Sequence, residues 1–73
     1  GVSDWDVRVL QQMLSVITQA NPSLPQVSVT GTYDQATEDA IRRIQEQYGI
    51  PVTGQTGAIT WNSVVEEYLR VAG

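Results

Sequence analysis

The chain has 73 residues and a formal net charge of −4 at pH 7, with no Cys, no His and Arg as its only basic residue type. That length makes one domain with a limited core, and the missing residue types exclude a disulfide staple and the usual zinc ligands. The acidic balance argues against nucleic acid and anionic membrane surfaces as partners, and no apolar run approaches the roughly 18 residues of a membrane helix. The chain opens at Gly1 without Met and closes at Gly73; we take residues 1–73 as a single module excised from a longer protein.

Ser3 followed by Asp6 has the spacing of a capping box. Val7, Leu10, Leu14 and Ile17 then recur at helical spacing, with Met13 and Val16 widening the stripe. The spacing predicts a first helix over about residues 4–18, stopped by Asn21-Pro22. The uncharged segment NPSLPQ, with two prolines, predicts an ordered but non-helical loop.

Asp34 is suited to cap a second helix, with Thr37 at its third helical position. Ile41, Ile44 and Tyr48 form its buried stripe beside Ala40; Gly49 and Pro51 end it. Glu38–Arg42 and Asp39–Arg43 are i,i+4 pairs on its solvated face. A third helix is predicted over about residues 58–71, with Trp61, Val64, Val65, Tyr68 and Leu69 as its stripe and Glu66–Arg70 as a surface pair. No window alternates long enough for a sheet. VSV and IPV could pair at most as a minimal β ribbon, because Pro51 has no donor.

One phrase occurs twice. VSVTGTYDQAT at residues 27–37 aligns with IPVTGQTGAIT at residues 50–60. The match extends backward: VRVLQQML at residues 7–14 aligns with IRRIQEQY at residues 41–48, so that Gln11 meets Gln45. The repeating unit is helix, connector, Val-Thr-Gly and the start of the next helix. Gln11 to Gly31 spans 20 residues and Gln45 to Gly54 spans 9, so the first copy carries about 11 more. Two such units sharing one core, completed by a third helix, predict an all-α three-helix bundle. Gly31 and Gly54 are expected at positive φ in the reversals. Each valine is expected to tuck under the helix that follows, and Gln11 and Gln45 to bond the turn backbone that would otherwise be unpaired.

These residues carry a resemblance. DVRVLQQML followed by VSVTGTYDQATEDAIRRIQEQYGIPVTGQTGAITWNSV is similar to the peptidoglycan-binding domain family, attached to bacterial cell-wall hydrolases and spore cortex-lytic proteins. The matches are Val7, Leu10, Gln11, Leu14, Gly31, Tyr33, Thr37, Ala40, Ile41, Gln45, Gly49, Ile50, Gly54, Gly57, Thr60, Trp61 and Val64. Thr30 and Thr53 stand where the family usually has Asp, Asp34 where it has Gly, and Ile44 where it has an aromatic. The resemblance implies a compact three-helix fold and a non-catalytic, extracytoplasmic anchor, associated with the cell wall or the spore, holding a parent hydrolase on murein. It implies peptidoglycan, glycan or stem peptide, as the partner, with no cofactor, and a monomer in isolation. The same fold also forms the inhibitory propeptide of matrix metalloproteinases, a role that requires a Cys this chain lacks.

Nucleophilic catalysis commonly uses His to activate Ser or Cys, and Asp34, Glu38 and Asp39 fall where a helix start favours acidic residues. Neither pattern points to an enzyme, and Asp4 and Asp6 lack a calcium-ligand loop. A binding surface is easier to build. All aromatics are Tyr or Trp, which stack on sugars and still offer a hydrogen bond. Tyr48 and Tyr68 lie on helical stripes and Trp61 on another, while Trp5 is either a staple at the helix start or exposed. Tyr33 sits between a turn glycine and a helix cap, and is the best candidate. The expected ligand surface joins Tyr33, Asp34 and Gln35 from the first turn to Gln55 and Thr56 from the second, with Trp61 if exposed. A protein-interaction module of the same fold is the alternative.

Overall fold

The computed structural model describes residues 4–73, with side chains described from Asp6 onward. The described residues form three helices: α1 Asp4–Ala20, α2 Gln35–Gln47 and α3 Ala58–Ala72. Among the described residues there is no strand, so VSV and IPV remain extended connectors without a ribbon. The molecule measures 25 × 24 × 20 Å, so α1, at 1.5 Å per residue, spans its full length. α1 packs mainly against α3, and α2 closes the bundle.

α1 runs two residues past the expected end, to the residue before Asn21, whose N–H still bonds the Ile17 carbonyl at 3.1 Å. The Ser3 capping box and the Trp5 side chain lie outside the described residues. α2 is capped as expected, with the Asp34 carboxylate accepting from the Thr37 N–H at 3.0 Å. Gly49 follows with φ +65°, the left-handed value that ends helices on glycine.

Leu10, Leu14 and Ile17 of α1, Ala40, Ile41 and Ile44 of α2, and Val64 of α3 form the core. Val27 joins them from the connector at 5% exposure, and Leu24 packs against the cluster. The inserted NPSLPQ segment is thus an ordered loop that delivers one apolar side chain inward. Trp61, Tyr48 and Tyr68 pack half-buried around the cluster.

Several expected core positions face water instead. Val16 and Leu69 are exposed, because each lies at the edge of a stripe whose centre already fills the shared core. The paired valines of the repeated phrase are exposed as well, Val29 at 42% and Val52 at 49%. Their backbone is extended, and what holds it is hydrogen bonding rather than valine burial.

That bonding comes from two glutamines. Gln11 and Gln45 are fully buried. The Gln11 Oε1 accepts from the Thr30 and Gly31 N–H groups, both at 2.9 Å. Its Nε2 faces the Thr30 hydroxyl at 3.1 Å, the Thr32 carbonyl at 2.7 Å and the Thr37 hydroxyl at 3.0 Å. The second copy repeats the arrangement. Gln45 Oε1 accepts from Thr53 N–H at 2.9 Å and Gly54 N–H at 3.0 Å. Gln45 Nε2 faces the Thr53 hydroxyl at 3.2 Å, the Gln55 carbonyl at 3.0 Å and the Thr60 hydroxyl at 3.1 Å. Gly31 and Gly54 complete the reversals at φ +82° and +75°, where a side chain is strained.

A second polar lock ties α2 to α3. The Glu67 carboxylate, buried at 4% exposure, accepts from the Tyr48 hydroxyl at 3.0 Å and the Gln47 amide at 3.1 Å. Arg70 pairs with Glu67 rather than with Glu66, since Glu67 lies inward at i,i+3 and Glu66 faces solvent. On α2, Glu38 and Arg42 form the expected pair at 2.6 Å, while Asp39 accepts from the Gln35 amide at 2.8 Å. Hydrogen bonds from Arg70, and then from Tyr48 and Gln47, hold the Glu67 carboxyl below its ordinary value against the opposing effect of burial.

Two predictions follow from these contacts. A Cβ at Gly31 meets the end of the Arg8 side chain at 2.8 Å, which can swing away into solvent. One at Gly54 meets the Glu38 Cγ at 2.8 Å and the Arg42 Nε at 3.0 Å, two groups tied in an ion pair. Gly31→Ala should cost about 1–3 kcal/mol from backbone strain alone, and Gly54→Ala should cost more, measured by urea unfolding. Equal costs would show that the ion pair does not crowd Gly54. For Glu67 the sign follows from the lowered folded value: its stabilisation is full above the unfolded pKa, about 4.3 for Glu, and is lost as pH falls through the folded value. Acid titration of the unfolding free energy should show this loss in the parent chain and a flatter profile in Glu67→Gln.

Candidate functional site

The two turns are joined by Tyr33. Its hydroxyl donates to the Gly54 carbonyl at 2.8 Å and lies 2.9 Å from the Thr56 hydroxyl. The ring packs against the hydrophobic core. Burial, with a smaller contribution from the Glu38 charge, holds the phenol above its ordinary value, opposed by the Thr56 hydrogen bond and Arg42. Tyr33 stays neutral at ordinary pH, and its hydroxyl is committed to holding the second turn.

Asp34 is committed as well. Its Oδ1 accepts from the Thr37 N–H and, at 2.7 Å, from the Thr37 hydroxyl. The Thr30 hydroxyl lies 3.3 Å from its Oδ2. These bonds, those from Thr37 foremost, lower the carboxyl below its ordinary value. Asp34 therefore presents a capped, ionised carboxylate at the turn.

Gln35 and Gln55 are exposed, and Thr56 is half-buried. Gln35 donates to Asp39 and so belongs to the α2 face. The Gln55 side-chain amide makes no hydrogen bond within the described residues, whereas its carbonyl is held by Gln45. Thus Tyr33, Gly54 and Thr56 are brought into direct contact. Trp61 is half-buried on the core, and its side chain makes no hydrogen bond to either turn among the described residues.

Thr30 and Thr53 stand where the family usually has Asp. Each hydroxyl accepts from the backbone N–H two residues on, at 3.2 Å in the first turn and 3.1 Å in the second. Such a turn can be closed by a Ser/Thr hydroxyl or by an Asp carboxylate in the same way. The substitution therefore preserves the turn. Thr37 and Thr60, identical in the two copies, are the remaining partners of the glutamines; their recurrence in the alignment was the signal for this role.

The copies differ at the start of the following helix. Gly57 caps α3 with no side-chain hydrogen bond, where Asp34 caps α2. Beside it is a solvent-open cleft of about 360 Å³, walled by Ile50, Pro51, Thr53, Gln55, Gly57 and Ile59 over Gln45 and Thr60. Ile59 is 70% exposed. Sequence reasoning missed this cleft, although Ile59 stands opposite Ala36 in the repeat, off the α3 stripe. Among the described residues no group of three His, Cys, Asp or Glu side chains could hold a metal ion, and no helix is long and apolar enough to cross a membrane.

No curated protein and no solved structure matches the chain. A model of the peptidoglycan binding domain family does match, over residues 3–64. That interval holds both glutamine-clamped turns, the Tyr33 bridge and the first half of α3. Covering more than half of the chain, it makes this protein a member of the peptidoglycan binding domain family.

Proposed function

We propose that the chain is a non-catalytic anchor that binds peptidoglycan and holds a parent protein, a hydrolase of the wall, on murein outside the cytoplasm. Family membership carries this reading. The ligand surface is the pair of turns with Tyr33, Asp34, Gln35, Gln55 and Thr56, flanked by Trp61. Its design suits a binding module: the backbone of both turns is fixed by buried glutamines, so little conformational entropy remains to be lost when a ligand docks. Asp34 offers a carboxylate to stem-peptide amines, and Gln35 and Gln55 offer amides to sugars and peptides. Affinity per module is expected to be weak and to grow through repeated engagement of an insoluble polymer. The isolated domain acts as a monomer.

Co-sedimentation with purified sacculi tests this reading. The parent chain should pellet with sacculi and release no soluble fragments from them. Tyr33→Ala should weaken pelleting about tenfold, a loss of roughly 1–2 kcal/mol, with circular dichroism reporting a folded variant. Tyr33→Phe keeps the ring but not the bridge to Gly54 and Thr56, and should fall between the two. Equal pelleting of the parent chain and Tyr33→Ala would remove Tyr33 from the surface. Failure of the parent chain to pellet with sacculi of several chemotypes would favour a protein partner instead.

A further inference from the structure

The second turn is an opened version of the first. Asp34 fills the start of α2 by accepting from Thr37, and Ala36 keeps its first turn small. At the equivalent places the second copy has Gly57, with no side chain, and Ile59, 70% exposed. Ile50 and Pro51 face the same cleft of about 360 Å³, a volume at the lower end of ligand sites, which run from roughly 300 to 1,000 Å³.

The chemistry of the lining is selective. No charged residue lines the cleft. Glu38 and Arg42, which lie beside Gly54, neutralise each other in their ion pair. Gln45, Thr53 and Thr60 are already engaged in the clamp. What remains is an apolar wall, the start of α3 that Gly57 leaves without a side-chain cap, and one side-chain amide, that of Gln55, without a partner among the described residues. An ammonium docked there would lose water without gaining a counter-charge, and a carboxylate would gain only the partial positive charge of the α3 start. A group that is neutral, carries a methyl and has one amide to satisfy fits the wall and the amide together.

Resting on the peptidoglycan reading above, we propose that this cleft binds an acetamido group of the N-acetylated glycan, and not the charged stem peptide. The acetamido methyl lies against Ile59, Ile50 and Pro51, and its amide exchanges a hydrogen bond with the Gln55 carboxamide.

The test uses the whole chain with three sacculus preparations: untreated, chemically N-deacetylated, and stripped of stem peptides. The parent chain should pellet with untreated and peptide-stripped sacculi, and at least fivefold less with N-deacetylated sacculi. Deacetylation leaves amines on the glycan, so attraction to a chain of net charge −4 would by itself strengthen binding. Loss of binding therefore reports the acetamido group. Ile59→Ala and Gln55→Ala should each weaken pelleting severalfold on untreated sacculi with an unchanged unfolding midpoint, since both side chains are exposed. A soluble probe gives a second readout: tri-N-acetylchitotriose should shift the NMR signals of the Ile59 methyl and Gln55 side-chain amide, and the unacetylated trimer should not. Equal binding to acetylated and deacetylated sacculi, or binding lost only on peptide stripping, would overturn the acetamido assignment while leaving the peptidoglycan reading intact. No pelleting with untreated sacculi and no shift with the acetylated trimer would overturn both.

Discussion

Two buried carboxamides organise this small domain. A glutamine side chain carries one acceptor oxygen and one amide with two hydrogens, and each of Gln11 and Gln45 points this pair at a chain reversal. The oxygen takes two consecutive backbone N–H groups, and the amide faces a carbonyl and two threonine hydroxyls. Had these groups been left buried and unpaired, each would cost about 1–3 kcal/mol, a sizeable fraction of the stability of a domain of this size. Among the described residues, no buried side-chain polar atom lacks a partner. The clamp also explains the glycines. Two adjacent N–H groups converge on one oxygen only when the chain turns sharply, and both turns do so at positive φ.

Around the clamps, the helices supply an apolar interior that is small but closed. α1 and α2 give most of its aliphatic side chains, while α3 gives Val64 and a half-buried rim of Trp61, Tyr68 and Val71. Without Cys there is no covalent staple. Polar locks take its place: glutamine to turn, Tyr33 to the second turn, and Glu67 to Tyr48 and Gln47. Of these locks, Tyr33 is the one that ties the first turn to the second.

The repeat made much of this legible. Gln11, Gln45, Gly31 and Gly54 recur in register, and a buried polar residue that recurs beside a recurring glycine has a structural duty in both places. The same repeat misled for Val29 and Val52. Their recurrence reflects extended backbone on which a β-branched residue sits well, and burial did not follow. Spacing likewise pointed to Glu66, four residues before Arg70, whereas Arg70 pairs with Glu67, three residues before it. The helical stripe did not mark Glu67 as buried, because its burial depends on Tyr48 and Gln47 reaching across from α2. In the candidate site, Tyr33 was singled out by its place between turn and cap, but its hydroxyl is occupied by the second turn. The cleft beside Ile59 arises from the contrast between Gly57 and Asp34; the aligned phrases show that difference, but the space it opens depends on how the turn folds against Gln45.

Buried glutamines, and not the packing of the turn residues themselves, hold the two reversals. Thr30 and Thr53 are exposed, so loop amides at these positions would ordinarily exchange with solvent rapidly. Amide hydrogen exchange followed by NMR at Thr30, Gly31, Thr53 and Gly54 measures this hold at the four bonds themselves. All four should be protected to about the level of helical core amides such as those of Leu14 and Ile44, opening only when the domain unfolds. Exchange of these four amides at the rate of unprotected loop residues, with the helices still protected, would contradict it.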